Sequence, residues 1–313
     1  MLLRHLEYLT ALAAERHFAR AAAACHVSQP SLSAGIRRLE AELKVAIVVR
    51  DRRFVSFTPE GDVVVAWARR LLADRDAMVA EVSAVTGGLT GTLRIGAIPT
   101  AVTAVSLLTD PFCARHPGVT VRLVSASATE IVRGLADFDL DVGVTYTTPA
   151  PPAGLAVLPL WTERYLLLTA DDAPLAARDR LAWADLTGLP LALLTPQMRN
   201  RQILEAAFAA AGVTPTIGVE ADTVSAIYAH VATRRWSGVV SHAWLHQFGV
   251  PPGLRVVPLD PAAPLAPAGQ VALLHRDRRP GPVLAGALVA VAGTLDLEAH
   301  LAGLLAAALA GAR

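Results

Sequence analysis

The chain has 313 residues, a formal net charge of +1 and two cysteines. The length allows about two domains with a core each. The charge excludes an overall basic coat, and the cysteine count excludes a disulfide scaffold and suits a reducing cytoplasm. The start MLLRHLEYL has no secretory apolar core, and the most apolar late stretch, Val283 to Leu295, is too short to span a bilayer, so no membrane association is expected.

The first pattern is a helix over 3–16, with Leu2, Leu6, Leu9 and Ala13 facing a core. A second helix, from Phe18 to about Cys25, is nearly all alanine and can pack closely on a neighbour. His26 and Val27 make a turn. Ser28 is a good N-cap, and Pro30 falls in the first turn of the next helix, where its missing N–H costs nothing. Leu32, Ile36, Leu39 and Leu43 recur there at helical spacing as the buried face, which leaves Gln29, Ser31, Ser33, Ala34 and Arg37 outside. That outer set suits the DNA major groove: short hydrogen-bonding side chains, a glutamine able to pair with adenine, and no acid before Glu40. Arg50, Asp51, Arg52 and Arg53 then lie between two β-branched runs, Val45–Val49 and Phe54–Phe57, as the tip of a basic hairpin placed to reach phosphates or the minor groove. Residues 1–58 carry nine basic side chains against five acidic ones, so the positive charge is concentrated in this head.

Phe18, Ala21-Ala22, Ser28-Gln29-Pro30, Ser33, Ile36, Leu39-Glu40, Leu43, Arg50, Thr58 and Gly61 keep an ungapped spacing that resembles the winged helix-turn-helix signature of LysR-type transcriptional regulators. The resemblance implies double-stranded DNA with a dyad-related operator as partner, a homodimer or homotetramer, a small-molecule effector, and contact with RNA polymerase. Carried onto this chain, DNA contacts fall on Ser28, Gln29, Pro30, Ser31, Ser33 and Arg37, with Arg52 and Arg53 gripping backbone or minor groove. Lys44 stands where the family usually has a helix-ending glycine, so a left-handed conformation or a different exit is expected there. The opening forty residues and Leu194 to Gln202 (LTPQMRNRQ) are also similar to regulators encoded beside formate dehydrogenase operons, which would make formate or a related small acid the effector.

Thr58-Pro59 opens a long helix that runs to about Thr86. In it Val64, Ala68, Leu71, Arg75, Met78, Val82 and Val85 alternate four and three apart, a heptad seam expected to pair with a second copy. Gly87-Gly88-Leu89-Thr90-Gly91 reads as a flexible joint; it precedes a strand, so it is no phosphate loop. The expected domains are therefore a DNA-binding head at 1–58, a linker helix and hinge at 59–91, an effector domain at 92–295 and a helical tail at 296–313.

From Thr92 onward ten short apolar strands alternate with helices, which argues an α/β domain with mostly parallel sheets. Leu140-Asp141-Val142-Gly143-Val144 resembles a strand start of the LysR effector domain, and 92–295 as a whole is similar to that domain. The resemblance implies two Rossmann-like lobes of the type 2 periplasmic-binding-protein kind, lobe one at 92–163 plus 268–295 and lobe two at 164–267.

In such sheets ligands sit beyond the carboxyl ends of strands, near helix N-termini. Candidate effector-binding residues at those points are Thr100, Ser127, Thr145, Tyr146, Thr195, Gln197, Met198 and Thr223, and hydroxyls plus free helix N–H groups suit a small anion. For His242 contact with a ligand is one reading, and packing between lobes or a place at the surface is the more expected one. No nucleophile elbow, HExxH, paired-cysteine metal motif or Walker loop is present, so neither catalysis nor a cofactor nor a metal is expected. The rival to a regulator is a solute-binding α/β protein whose helical head mediates association only.

Overall fold

A computed structural model describes residues 2–50, 54–147, 152–261, 269–277 and 282–310. The chain divides into two compact units, Met1–Gly87 with Ala136–Asp139, and Gly88–Leu135 with Leu140–Arg313.

The first unit holds α1 (Leu3–Glu15), α2 (Phe18–Ala24), α3 (Gln29–Leu43), the hairpin β1 (Val48–Arg50) and β2 (Phe54–Phe57), and α4 (Pro59–Thr86). Leu6, Leu9, Leu12, Leu32, Ile36 and Leu39 form its core, joined by Ile47 and Ala68. Two expected core positions are on the surface: Leu2 precedes α1, and Leu43 lies in the last turn of α3, beyond the reach of α1. α3 stops because Lys44 turns left-handed (φ 56°), its N–H bonded to the Glu40 carbonyl. The Glu40 carboxylate accepts the N–H groups of Ile47 (3.0 Å) and Val48 (3.2 Å), tying α3 to the hairpin. β1 is shorter than its β-branched run, because Val45 to Ile47 are spent on that connection, while β2 covers its run whole. Thr58 caps α4 through the Gly61 N–H.

The second unit is built from two mixed five-stranded sheets. The first has the order β4 (Gly118–Ser125), β3 (Thr90–Ala97), β5 (Val142–Tyr146), β12 (Gln270–Arg276), β6 (Leu155–Thr162); α5 (Ser106–Arg115), α6 (Ala128–Ala136) and α10 (Val283–Ala292) accompany it. The second has β11 (Leu254–Pro258), β7 (Tyr165–Ala170), β10 (Ser237–Ser241), β8 (Pro190–Leu194), β9 (Thr216–Ala221), with α7 (Arg199–Ala210), α8 (Val224–Val231) and α9 (Leu245–Phe248). The expectation of mostly parallel sheets needs correction. β12 runs antiparallel to β5 and β6, and β7 runs antiparallel to β10 and β11, because the chain passes from β6 straight into β7 and later returns through β12. The expected joint is shorter too: Thr90 and Gly91 already pair with Gly118 and Val119. α11 (Leu297–Ala310) packs Leu301 and Leu305 onto this unit. Among the described residues no single helix is long and apolar enough to cross a membrane.

The strand-start motif has a physical basis. Asp141 is buried; it accepts the Arg94 backbone N–H (2.9 Å) and guanidinium (2.9 Å) and lies 3.4 Å from the buried Arg276 guanidinium. Arg276 also donates to the carbonyls of Leu135 and Leu140. At Gly143 an added Cβ would lie 2.4 Å from Ile131 Cγ2, so glycine is what lets α6 approach β5.

Candidate functional site

At the start of α3 the Ser28 hydroxyl accepts the Ser31 N–H (3.3 Å) and lies 2.8 Å from the Ser31 hydroxyl. Leu32, Gly35, Ile36 and Leu39 face inward, while Ser28, Gln29, Pro30, Ser31 and Arg37 are exposed and Ser33 is half-buried. The predicted polar face is thus continuous and open, and none of it is acidic. Arg52 and Arg53 lie outside the described residues.

α4 departs from its expected seam. Ala68 is fully buried and Val64 partly so, both against the core of their own unit, because α1 packs on the first half of α4. Arg75 reaches back to Glu7 of α1 as well as to Asp76. The open apolar stripe is therefore rotated by one residue in that half: Val63, Trp67, Leu71, Met78, Val82 and Val85 are exposed.

In the second unit the structure brings Thr100, Ser127, Tyr146 and Met198 together around a cavity of about 10 Å³, with Asn200 and Arg199. A neighbouring cavity of about 20 Å³ shares Pro99, Thr100, Leu194 and Asn200 with it; Thr103 and Ser241 add hydroxyls, and the rest of its wall is apolar, with Ile227, Trp244 and Phe248 among others. A wider, open cavity of about 500 Å³ adjoins that one and includes Thr103, Ser106, Ser125 and Thr223, the last capping α8. Thr145 and Thr195 line none of these cavities, though the hydroxyl of each is buried without a partner among the described residues, and Gln197 is exposed away from them. The Ser127 N–H and hydroxyl both donate to Glu130 (2.8 and 2.7 Å), so the N-terminus of α6 is closed by its own carboxylate. α7 has no such cap: Met198 makes no side-chain bond to its first turn.

Sequence reasoning missed what lies beneath. Glu163, in the turn between β6 and β7, is buried; its Oε2 accepts the hydroxyl protons of Tyr146 (2.7 Å) and Tyr165 (2.9 Å). The Asn200 amide donates to the Tyr146 oxygen at 3.1 Å, and Thr100 Oγ1 lies 3.1 Å from it. Burial pushes the Glu163 carboxyl above its ordinary value, against the pull of the two tyrosine hydroxyls. The same burial, and then the charge of Glu163, push both tyrosines well up. The available signal was a lone acid between two apolar strands (Trp161-Thr162-Glu163-Arg164-Tyr165). His242 is fully buried; its Nδ1 accepts the Arg164 N–H at 3.2 Å, and burial followed by the Arg164 charge pushes its pKa down to about 4. It therefore packs, neutral, inside the unit. Neither cysteine lines these cavities.

Comparison with known proteins agrees with this architecture. The model described as "Bacterial regulatory helix-turn-helix protein, lysR family" matches residues 3–62, and that described as "LysR substrate binding domain" matches 86–295. A hydrogen peroxide-inducible genes activator of Dickeya chrysanthemi is 37% identical over 195 residues, covering 62% of this chain and 64% of that protein. The DNA-binding transcriptional dual regulator OxyR of Escherichia coli K12 is 37% identical over 203 residues, with the same coverage. The aligned stretch thus spans just under two thirds of these relatives. A full-length cysteine-to-aspartate variant of OxyR from Pseudomonas aeruginosa superposes with a TM-score of 0.74 at 28% identity, over 95% of this chain and 96% of that one. With both of its parts matched in order, this chain belongs to the LysR family.

Proposed function

We propose that this protein is a DNA-binding regulator of transcription and not an enzyme. The observation that carries the reading is the face of α3: an exposed, acid-free run of Ser28, Gln29, Pro30, Ser31 and Arg37 over a buried apolar face. Gln29, Pro30, Ser33 and Arg37 contact base edges in the major groove, and Arg52 and Arg53 grip the backbone or minor groove. The open stripe on α4 pairs two copies on a dyad-related operator, and two such dimers assemble into a tetramer. A small molecule in the cleft binds one arrangement of the lobes better than another, and that difference alters DNA binding or polymerase contact.

The effector in this reading is a small organic acid, formate or a relative. Support comes from the uncapped N-terminus of α7, where N–H groups and the helix dipole favour an acid's oxygens. The curated relatives are named for hydrogen peroxide, but Cys25 lies in the first unit and Cys113 on α5, so a peroxide response through cleft thiols has no residue to act on.

Gel shifts with genomic fragments across a salt series test the regulator. Sequence-selective binding that weakens steeply with salt is expected; equal retention of all fragments, or none at moderate salt, refutes it and leaves a solute-binding protein with an associating head.

A further inference from the structure

The floor of the cleft is polarised in one direction, and that direction restricts what can bind. Glu163 Oε2 receives protons from Tyr146 at 2.7 Å, Tyr165 at 2.9 Å and the Asn200 amide at 3.5 Å. A carboxylate has no proton to return. An undissociated carboxyl crowded by three donors on Oε2 would carry its proton on Oε1, so in either state Oε2 accepts. Tyr146 has one hydroxyl proton and gives it to Glu163. Its oxygen therefore accepts from the Asn200 amide at 3.1 Å and from the Thr100 hydroxyl at 3.1 Å. Flipping the Asn200 amide would set its oxygen against those of Tyr146 and Glu163, so the network fixes its orientation.

The consequence falls on the cavity. Thr100 has turned its proton inward and Asn200 both of its amide protons, so each presents only oxygen to the ligand. Asn200 is 6% exposed, lines the two smaller cavities, and no described group donates to its Oδ1. Ser127 adds no donor, its proton being held by Glu130. The donors left around these cavities are the backbone N–H groups at the start of α7, the Arg199 side chain beside them and the Thr103 hydroxyl on the far wall.

We propose that the cleft takes a small ligand with acceptor oxygens at one end and an O–H or N–H donor at the other: a short hydroxy acid, its carboxylate at the start of α7 and its hydroxyl donating to Thr100 and Asn200. Tyr146 and Glu163 are positioning residues that set this preference through the proton direction they impose. The inference rests on the cleft being the effector site and narrows the ligand class within it to acids that carry a hydroxyl, which sets formate itself aside in favour of its hydroxylated relatives.

Calorimetry on the full-length chain with glycolate and acetate, which differ by one hydroxyl, tests it. Glycolate is expected to bind at least about tenfold more tightly, since acetate leaves two buried acceptors unpaired. Glu163→Gln, which can keep a carbonyl oxygen at the Oε2 position, should retain the preference. Tyr146→Phe, which frees the Thr100 proton to face the cavity and leaves Asn200 Oδ1 as the remaining acceptor, should reduce it several-fold. A merely structural role would change stability in these variants without moving the ratio. Glycolate binding no better than acetate, or not at all, overturns the assignment, as does a preference left undiminished by Tyr146→Phe. Neutron diffraction gives a ligand-free check: a Thr100 deuteron aimed at the Tyr146 oxygen supports the proposal, and one aimed into the cavity refutes it. Gel shifts of the same proteins separate the two readings, because a chain that never binds DNA selectively fails as a regulator whatever its acid preference.

Discussion

Gly35 of α3 stands against the ring of Tyr8 on α1, where an added Cβ would lie 2.6 Å from the ring carbon Cδ2. Tyr8 is buried, so the ring has little room to retreat. The close approach of these two helices fixes how far the exposed polar face of α3 projects. Gly35→Val should cost about 2 kcal/mol or more through overpacking, despite the better helix propensity of a non-glycine residue. Tyr8→Leu in the same chain should recover part of the loss, read by urea denaturation; additive losses in the double variant would mean the contact is not the cause.

For sequence reading, Gln29→Ala and Arg37→Ala should reduce discrimination between operator and non-operator fragments by about 1–3 kcal/mol each where they contact bases. Ser28→Ala acts differently. It removes the cap bonded to Ser31 and should cost about 1 kcal/mol of stability. Competitive gel shifts paired with thermal melts separate the two effects.

Pairing through α4 is checked by charge. Trp67→Glu with Val82→Glu places carboxylates on the open stripe, where burial against a second copy would leave them unpaired. Sedimentation should show monomers that keep native circular dichroism. Ala68→Glu should instead unfold the first unit, since Ala68 lies inside its core.

Asp141→Asn should destabilise the second unit by about 3 kcal/mol, because it strips the charge from a carboxylate shared by Arg94 and the buried Arg276. Chemical denaturation of the native chain and the variant measures it. A change within a few tenths of a kcal/mol would show that the arginines find other partners.

Two buried groups act in opposite directions on stability as pH changes. His242 has a folded pKa of about 4 against 6.5 when free, so on acidification the unfolded chain takes up the proton first. Its contribution is whole above 6.5 and is lost on acidification towards 4, about 3 kcal/mol in all. Glu163 is shifted upward from 4.5, so its ionisation costs stability as pH rises through and above that value. Melting curves across this range should therefore lose part of their acid slope in His242→Phe, and Glu163→Gln should gain stability relative to the native chain as pH rises.

Much of this was legible in the sequence. The caps Ser28 and Thr58, the leucine spacing in α3 and the ten strands of the second unit are local signals, governed by propensity and period. Strand direction was not legible, because β7 and β12 read like any apolar strand and only the passage between the sheets reverses them. The seam on α4 was misplaced in its first half because periodicity marks an apolar face without saying which neighbour covers it. Glu163 and Asn200 were missed for a related reason: a buried polar network is assembled from residues far apart in the chain, and each member alone resembles an ordinary surface group.

The grip of α1 on α4 has a mechanical meaning. Ala68 in the core and the Glu7–Arg75 ion pair lock about two turns of the long helix to its head, so head and shaft rotate as one rigid lever. When two such shafts lie side by side, the angle at which they cross dictates the separation of the two reading helices, and a few degrees there become several ångströms along the duplex.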